Sequence, residues 1–264
     1  MRIGIIGFGF VGQAIGWAHK DQDLIIRDPK LQHSAELSKF NSCDAVFVCV
    51  PTPSLEDGHC DTSTLEQTIK ELLFVLINNP IPVICKSTAP PSFYEKLWEQ
   101  YPNIVYCPEF LTAANNVSDY TDASYFVLGG HKEWCEKARH VIRQGMSKDF
   151  PYDRFIFTDI KSASLYKYFM NAYLATKVTF MNEFYSLAET IGVDWNDLKR
   201  LTAFEHRIGS THMDVPGPDG EFGWGGMCFP KDIAAIQEEA MDHRVYMDLL
   251  GHVEDINKKH RKLK

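Results

Sequence analysis

Cys228 is the residue of this sequence best placed to act as a nucleophile. It stands in the run Gly223-Trp224-Gly225-Gly226-Met227-Cys228-Phe229-Pro230-Lys231-Asp232, where a glycine-rich stretch meets a segment that Pro230 marks as the first turn of a helix. A thiol at a helix N-terminus is held toward its thiolate form, the reactive species. Asp232 follows four positions later, one helical turn away on the same face, where a carboxylate can steer or deprotonate a bound water. The other six cysteines, at 43, 49, 60, 85, 107 and 135, fall mostly on apolar strands or amphipathic faces and read as small core hydrophobes.

Lys167 and Asn171 form a second pair at i and i+4 of a helical pattern, so both project from one face. Taken alone, they could equally be a surface pair. Ser87-Thr88 and Pro108-Glu109-Phe110-Leu111 each end a candidate strand, and polar groups at the carboxyl ends of parallel strands face the ligand crevice. Gly7-Phe8-Gly9-Phe10-Val11-Gly12 lies between a strand and a helix, the context that a dinucleotide phosphate cradle requires. The first glycine makes the turn, the second admits the pyrophosphate, and the third lets helix pack on strand. Asp28 ends the second candidate strand, where a carboxylate binds ribose hydroxyls and repels a 2′-phosphate, which favours NAD over NADP. Arg27 beside it pulls the other way.

The elements that must position these groups follow from periodicity. Candidate strands are Arg2–Ile6, Leu24–Arg27, Ala45–Cys49, Val83–Lys86, Ile104–Tyr106, Tyr125–Leu128 and Arg154–Thr158. Helical patterns such as Val11–His19 and Ser63–Ile77 lie between them. The alternation predicts an α/β domain with a Rossmann-type parallel sheet and helices on both faces, over residues 1–160. From Ser162 to Ile191 there is neither proline nor glycine, which reads as one long helix opening a helical domain over 161–264. Another helix is expected from Asp194 to about Phe204, and a last one from Pro230 through Ala240. Ser210–Gly226, with five glycines and two prolines, is loop.

Composition narrows the function classes. The net charge of −8 disfavours a broad nucleic-acid surface. The one basic run, Lys258 to Lys264, is expected to be a solvated tail. Seven cysteines with no C-x-x-C pair fit neither a disulfide framework nor a zinc site, and reduced thiols point to the cytoplasm. No apolar run is long enough for a membrane span. Five glycines between Ile3 and Ala18 make that stretch a poor leader helix, so a signal peptide is not expected there.

Taken in order, these segments resemble the nucleotide-sugar 6-dehydrogenases, the family of UDP-glucose and GDP-mannose dehydrogenases. The likeness runs from residue 1 to about 240 through Gly7–Gly12, Cys49-Val50-Pro51-Thr52-Pro53, Ser87-Thr88, Pro108–Leu111, Lys167 to Ala175, Arg207-Ile208-Gly209 and Phe222–Asp232. It implies oxidation of a sugar primary alcohol to a carboxylate with two NAD in succession. By resemblance, Cys228 attacks the aldehyde intermediate, Lys167 and Asn171 hold charge on the C6 oxygen, Asp232 works with a water as base, and Glu109 serves thioester hydrolysis. Thr88 matches a residue near the nicotinamide. Val50, Pro51, Thr52 and Ser87 line the cofactor with Gly7, Gly9, Phe10, Val11 and Gly12, and Lys30 lies near the adenosine ribose. Phe110, Leu111, Phe222 and Gly225 join Lys167 and Asn171 on the substrate side, with UDP-glucose the leading substrate. Arg207 matches an arginine that reaches the neighbouring subunit's substrate, implying a homodimer through the helix 162–191. No metal is implied.

Three departures stand out. Thr112-Ala113-Ala114 replaces the family's continuation, so its second glutamate is missing. The loop between Arg207 and Cys228 carries an extra segment from Val215 to Gly220. The family's third domain, which closes over the nucleotide, is not expected in this chain. Two other readings remain open: a two-electron hydroxy-acid dehydrogenase, which also uses a Lys and Asn one turn apart but has no need of Cys228, and a non-catalytic NAD-binding dimer.

Overall fold

The computed structural model describes residues 1–112 and 115–262; Ala113, Ala114, Leu263 and Lys264, including the missing family glutamate at 113, lie outside the described residues. The chain divides into two compact units, Met1–Leu55 with Cys60–Lys167, and Glu56–His59 with Tyr168–Lys264. Among the described residues no helix is long and apolar enough to cross a membrane.

The first unit is built on β1 (Arg2–Ile6), β2 (Asp23–Arg27), β3 (Ala45–Val48), β4 (Val83–Cys85), β5 (Ile104–Tyr106), β6 (Phe126–Gly129) and β7 (Phe155–Thr158), in one sheet of order β2-β1-β3-β4-β5-β6-β7. Its helices are α1 (Phe10–Ala18), α2 (Ser63–Val75), α3 (Pro91–Gln100), α4 (Asn116–Thr121) and α5 (Lys132–Gln144). Strand side chains alternate between two cores, as a period of two dictates. Val46, Val48, Val83 and Cys85 meet Leu65, Ile69 and Leu72 of α2 and Tyr94 and Leu97 of α3. Ala45, Phe47, Ile84 and Val105 meet Ala14 and Ile15 of α1 and Ala138, Val141 and Ile142 of α5. Each such large side chain contributes roughly 1.5–3 kcal/mol by leaving water. The sheet is thus a Rossmann-type layer covered on both faces.

Two strands depart from the expected all-parallel sheet. β6 pairs antiparallel with β5, Tyr106 opposite Gly129, and β7 pairs parallel with β6, so both run against β1 to β5. The connection does not cross to the other end of the sheet, because α4 packs against α1 and Asn116 Nδ2 donates to the Phe10 carbonyl at 2.5 Å. The chain therefore re-enters near the end it left.

The helix α6 (Ile160–Ile191) begins in the first unit and runs on through the second, followed by α7 (Trp195–Thr202), α8 (Phe229–Asp242) and α9 (Asp248–His260). Asp194 caps α7 by accepting the Asn196 amide at 2.9 Å. The buried side of α6 mixes polar and small residues with a few apolar ones, and several of its large apolar side chains face outward. Asn171, Ala175, Thr179 and Asn182 lie on a buried stripe, while Phe169, Tyr173, Phe180, Phe184, Leu187 and Ile191 are exposed. The expected basic tail is also corrected. Lys258, Lys259 and His260 form the last turn of α9, whose apolar positions Leu250 and Val253 are buried, and Arg261 pairs with Asp219 at 2.8 Å.

His19 follows α1 with its ring against Phe47, and burial pushes its pKa down to about 4. Unfolded chain takes up that proton below about pH 6.5, whereas the folded state resists until near 4. Its contribution to stability is therefore complete above pH 6.5 and is lost as pH falls toward 4, by about 3 kcal/mol. Urea denaturation at pH 7.5 and 4.5 should show a smaller loss in His19→Phe than in the unsubstituted protein; equal losses would remove His19 as the cause.

Candidate active site

In the first unit the candidate cofactor residues gather at the carboxyl ends of β1 to β4. The strand order reverses direction between β1 and β3, and crevices open at such points. Gly7 has φ +88°, and a Cβ there would stand 2.6 Å from the Cys49 carbonyl oxygen, so the turn after β1 lies against the end of β3. Gly9 precedes the first turn of α1 as its N-cap, and a Cβ on it would touch nothing within 4 Å. Backbone N–H groups at that helix end, beside an open glycine, fit a pyrophosphate. Phe10 and Val11 open α1, and Gly12 packs against the Gly7 carbonyl.

Asp28 ties this loop to β2. Its Oδ2 accepts the Phe8 amide at 2.6 Å and its Oδ1 the Lys30 amide at 2.8 Å. Each oxygen keeps a second lone pair for a ribose hydroxyl. Arg27 donates from Nη1 to the Ala35 carbonyl at 3.0 Å, so its guanidinium is engaged by the chain itself. The residues present fit a dinucleotide without a 2′-phosphate.

The ends of β3 and β4 are stitched by short hydrogen bonds. Ser87 Oγ donates to the Val50 carbonyl and Thr52 Oγ1 to the Thr88 carbonyl, both at 2.6 Å. Pro51 and Lys30 are exposed. Lys167, buried on α6, donates to the Glu109 carbonyl at 2.6 Å and lies 3.4 Å from its Oε1. Glu109 Oε2 accepts the Leu111 amide at 2.8 Å, and the Lys167 ammonium stands 5.1 Å over the Phe110 ring. Lys86 was not singled out from the sequence. It is buried, donates to the Pro108 carbonyl at 3.2 Å and lies 3.3 Å from Cys107 Sγ, so it braces the same loop. The signal was present: Lys86 continues the alternation of β4 on the side of Ile84, directly before Ser87-Thr88.

In the second unit Cys228 is the N-cap of α8, and its carbonyl accepts the Asp232 amide at 3.0 Å. The two residues are therefore one turn apart. Asp232 is 1% exposed and accepts Asn171 Nδ2 at 2.6 Å, with Lys231 on its other oxygen. Phe222 packs on Tyr185, and Gly225 lies against the Arg261 guanidinium. Arg207 stands apart from this group: it is exposed and held by Glu205 through two bonds of 2.8 and 2.7 Å. Lys177 donates to the carbonyls of Ile208, Gly209 and Thr211, which fixes the backbone just after Arg207.

Four of the thiols share one environment. Cys43, Cys85 and Cys135 are buried and burial raises their pKa, to about 12 for Cys43 and Cys135, and Cys49 is raised likewise to about 12. Such groups stay protonated and act as packing.

Two family models match the chain. The NAD binding domain of the UDP-glucose/GDP-mannose dehydrogenase family covers residues 25–144, and its central domain residues 161–259. The chain belongs to this family. Its UDP-glucose 6-dehydrogenase relative from Rickettsia felis is 32% identical over 232 residues, covering 84% of this chain and 49% of the relative. The chain spans about half the length of the curated relatives it matches. Among solved structures, a UDP-glucose dehydrogenase from Pyrobaculum islandicum superposes with a TM-score of 0.81 at 21% identity, over 98% of this chain and 68% of that one. A 3-hydroxyisobutyrate dehydrogenase from Mycobacterium tuberculosis gives 0.74 at 17% identity, over 100% of this chain and 96% of that one. These likenesses show a shared fold. The family match supplies NAD as the cofactor of the first unit. It begins after the glycine loop, which stands on its own geometry.

Proposed function

We propose that the protein oxidises the C6 primary alcohol of a nucleotide sugar, UDP-glucose foremost, to the carboxylate in two successive NAD-dependent steps. The observation that carries this reading is Cys228 at the N-cap of α8, one turn from a buried Asp232 that Asn171 orients. When bound, the dinucleotide supplies the hydride acceptor for both oxidations, and Gly7, Gly9, Phe10, Val11, Gly12 and Asp28 hold it, with Lys30, Val50, Pro51, Thr52, Ser87 and Thr88 around it.

Asp232, with a water, takes the hydroxyl proton as the first hydride leaves, giving the aldehyde. Lys167 and Asn171 donate to the oxygen on which charge develops. The Cys228 sulfur then bonds to the aldehyde carbon and the oxygen takes up a proton, forming a thiohemiacetal. Loss of the second hydride and that proton leaves a thioester. Water, activated at Glu109, breaks the C–S bond and releases carboxylate and thiol. Phe110, Leu111, Phe222 and Gly225 flank the sugar nucleotide. The exposed apolar face of α6 supports a homodimer through that helix, which would bring Arg207 to the neighbouring subunit. Thiol chemistry of this kind suits the reducing cytoplasm.

The deciding experiment is the yield of NADH per sugar from UDP-, GDP- and dTDP-sugars. Two NADH per sugar, with carboxylate as product, is the expected result. The full-length fold match to a hydroxy-acid dehydrogenase keeps a two-electron reading alive, and a ratio of one with free aldehyde or ketone would establish it. Binding of NAD with no turnover of any sugar would favour the non-catalytic dimer.

A further inference from the structure

The loop that delivers Cys228 is held by side chains from two helices of the second unit. Asn182 Oδ1 on α6 accepts the Gly223 amide at 2.8 Å, and the Trp224 indole N–H donates to Thr179 Oγ1 at 2.9 Å. From α9, Asn257 grips the main chain of Trp224 at two points. Its Oδ1 accepts the Trp224 amide at 2.7 Å and its Nδ2 donates to the Trp224 carbonyl at 2.9 Å. The carboxamide so plays the part of a neighbouring strand and fixes both torsions of that residue. Gly223 has φ +70°, and a Cβ on it would fall on Asn257 Oδ1, so glycine is required where the clasp closes. Asn257 and Trp224 are both buried, and the segment leading from the clasp to Cys228 is Gly225-Gly226-Met227, whose two glycines give it little stiffness of its own.

We propose that Asn257 is a positioning residue that sets where Cys228 presents its sulfur, by clasping Trp224 from α9. The inference rests on the reading of Cys228 as the nucleophile. The thiolate is favoured only while the sulfur stays at the end of α8, where the helix N–H groups face it. With the clasp gone, the Trp224 amide and carbonyl lose their partners in a buried setting, and the glycines let the loop find water elsewhere. The sulfur then spends less time at the helix end, and its reactivity falls.

Asn257→Ala is compared with Val253→Ala, which cuts a buried apolar side chain one turn earlier on the same helix and removes no side-chain hydrogen bond. Two quantities are read in the full chain: hydrogen exchange of residues 222–228, and the pH-dependent rate of Cys228 alkylation by iodoacetamide, located by mass spectrometry. In Asn257→Ala, exchange at 222–228 should speed up at least about tenfold, alkylation at pH 7.5 should slow about tenfold or more, and its pH midpoint should rise. Val253→Ala should lower the melting temperature and leave both quantities unchanged. Unchanged exchange or alkylation in Asn257→Ala, or the same changes in both variants, overturns the proposal. If Cys228 of the unsubstituted protein reacts no faster than the other six thiols, the nucleophile reading fails, and so does the positioning role that rests on it. Exchange at 222–228 then still reports whether the clasp holds the loop. If Asn257→Ala does not fold, Thr179→Val with Asn182→Ala retains the α9 clasp, and alkylation must stay within about threefold of the unsubstituted rate; a larger loss also overturns it.

Discussion

Cys228→Ala is expected to abolish sustained NADH formation from a nucleotide sugar, by about 10⁴-fold or more, while each site still transfers a first hydride in a single turnover. On the proposed mechanism the first oxidation needs Lys167, Asn171, Asp232 and bound NAD, and the hydrogen bond from Asn171 to Asp232 does not involve the sulfur. The second oxidation needs a tetrahedral carbon, which on the proposed mechanism the thiol adduct provides. Rapid-quench measurement of NADH and aldehyde in the first turnover checks this. Cys228→Ser should be equally inactive overall, because an unactivated hydroxyl adds poorly and its ester would hydrolyse slowly. Loss of both hydrides in the alanine variant, with fold and NAD affinity intact, would refute the division of labour. Full activity would end the mechanism.

The second large effect is Lys167→Met. Lys167 and Glu109 form a buried pair, the ammonium also reaching the Glu109 carbonyl. Removing the cation leaves a carboxylate without its partner in a nearly dry setting, at a cost of about 3 kcal/mol or more in stability. Turnover should fall about 10²- to 10³-fold, since a donor to the developing oxyanion is gone. The double variant Lys167→Met with Glu109→Gln separates the two roles in the first hydride transfer, which precedes the hydrolysis proposed for Glu109. It should recover most of the stability, because no uncompensated charge remains, and none of the first-turnover rate. A recovered first turnover would mean that Lys167 serves only to neutralise Glu109. Denaturation midpoints and single-turnover NADH formation on the three proteins give the answer.

The strands and the two loops that end at Gly12 and Asp232 were legible because each carries a local rule. An unbroken apolar run marks Ala45–Val48, glycines mark the turn after β1, and Pro230 marks the start of α8. The direction of β6 was not legible, since a strand's apolar pattern is the same read either way; α4 docking on α1 decides it. The helix α9 was hidden by composition. Its end is a block of positive charge, and Leu250 and Val253 alone mark the buried side. Lys86 and Asn257 were hidden by distance. Each acts on a backbone group far along the chain, Pro108 and Trp224, and no local pattern announces such a bond. Arg207 shows the converse: it is visible as a motif, yet the structure leaves it on the surface, paired with Glu205.

If the proposed homodimer covers the outer face of α6, protein concentration becomes a variable of the fold. A helix that turns Asn171, Thr179 and Asn182 inward leaves Phe169, Tyr173, Phe180, Phe184, Leu187 and Ile191 outside, where they meet water. A lone protomer must carry that penalty, and any self-association that covers the stripe relieves it by mass action. For such a dimer dilution would work as a denaturant, shifting the melting curve down with no change of solvent. Coating the outer stripe with charge would then improve solubility of the single chain while removing the proposed association.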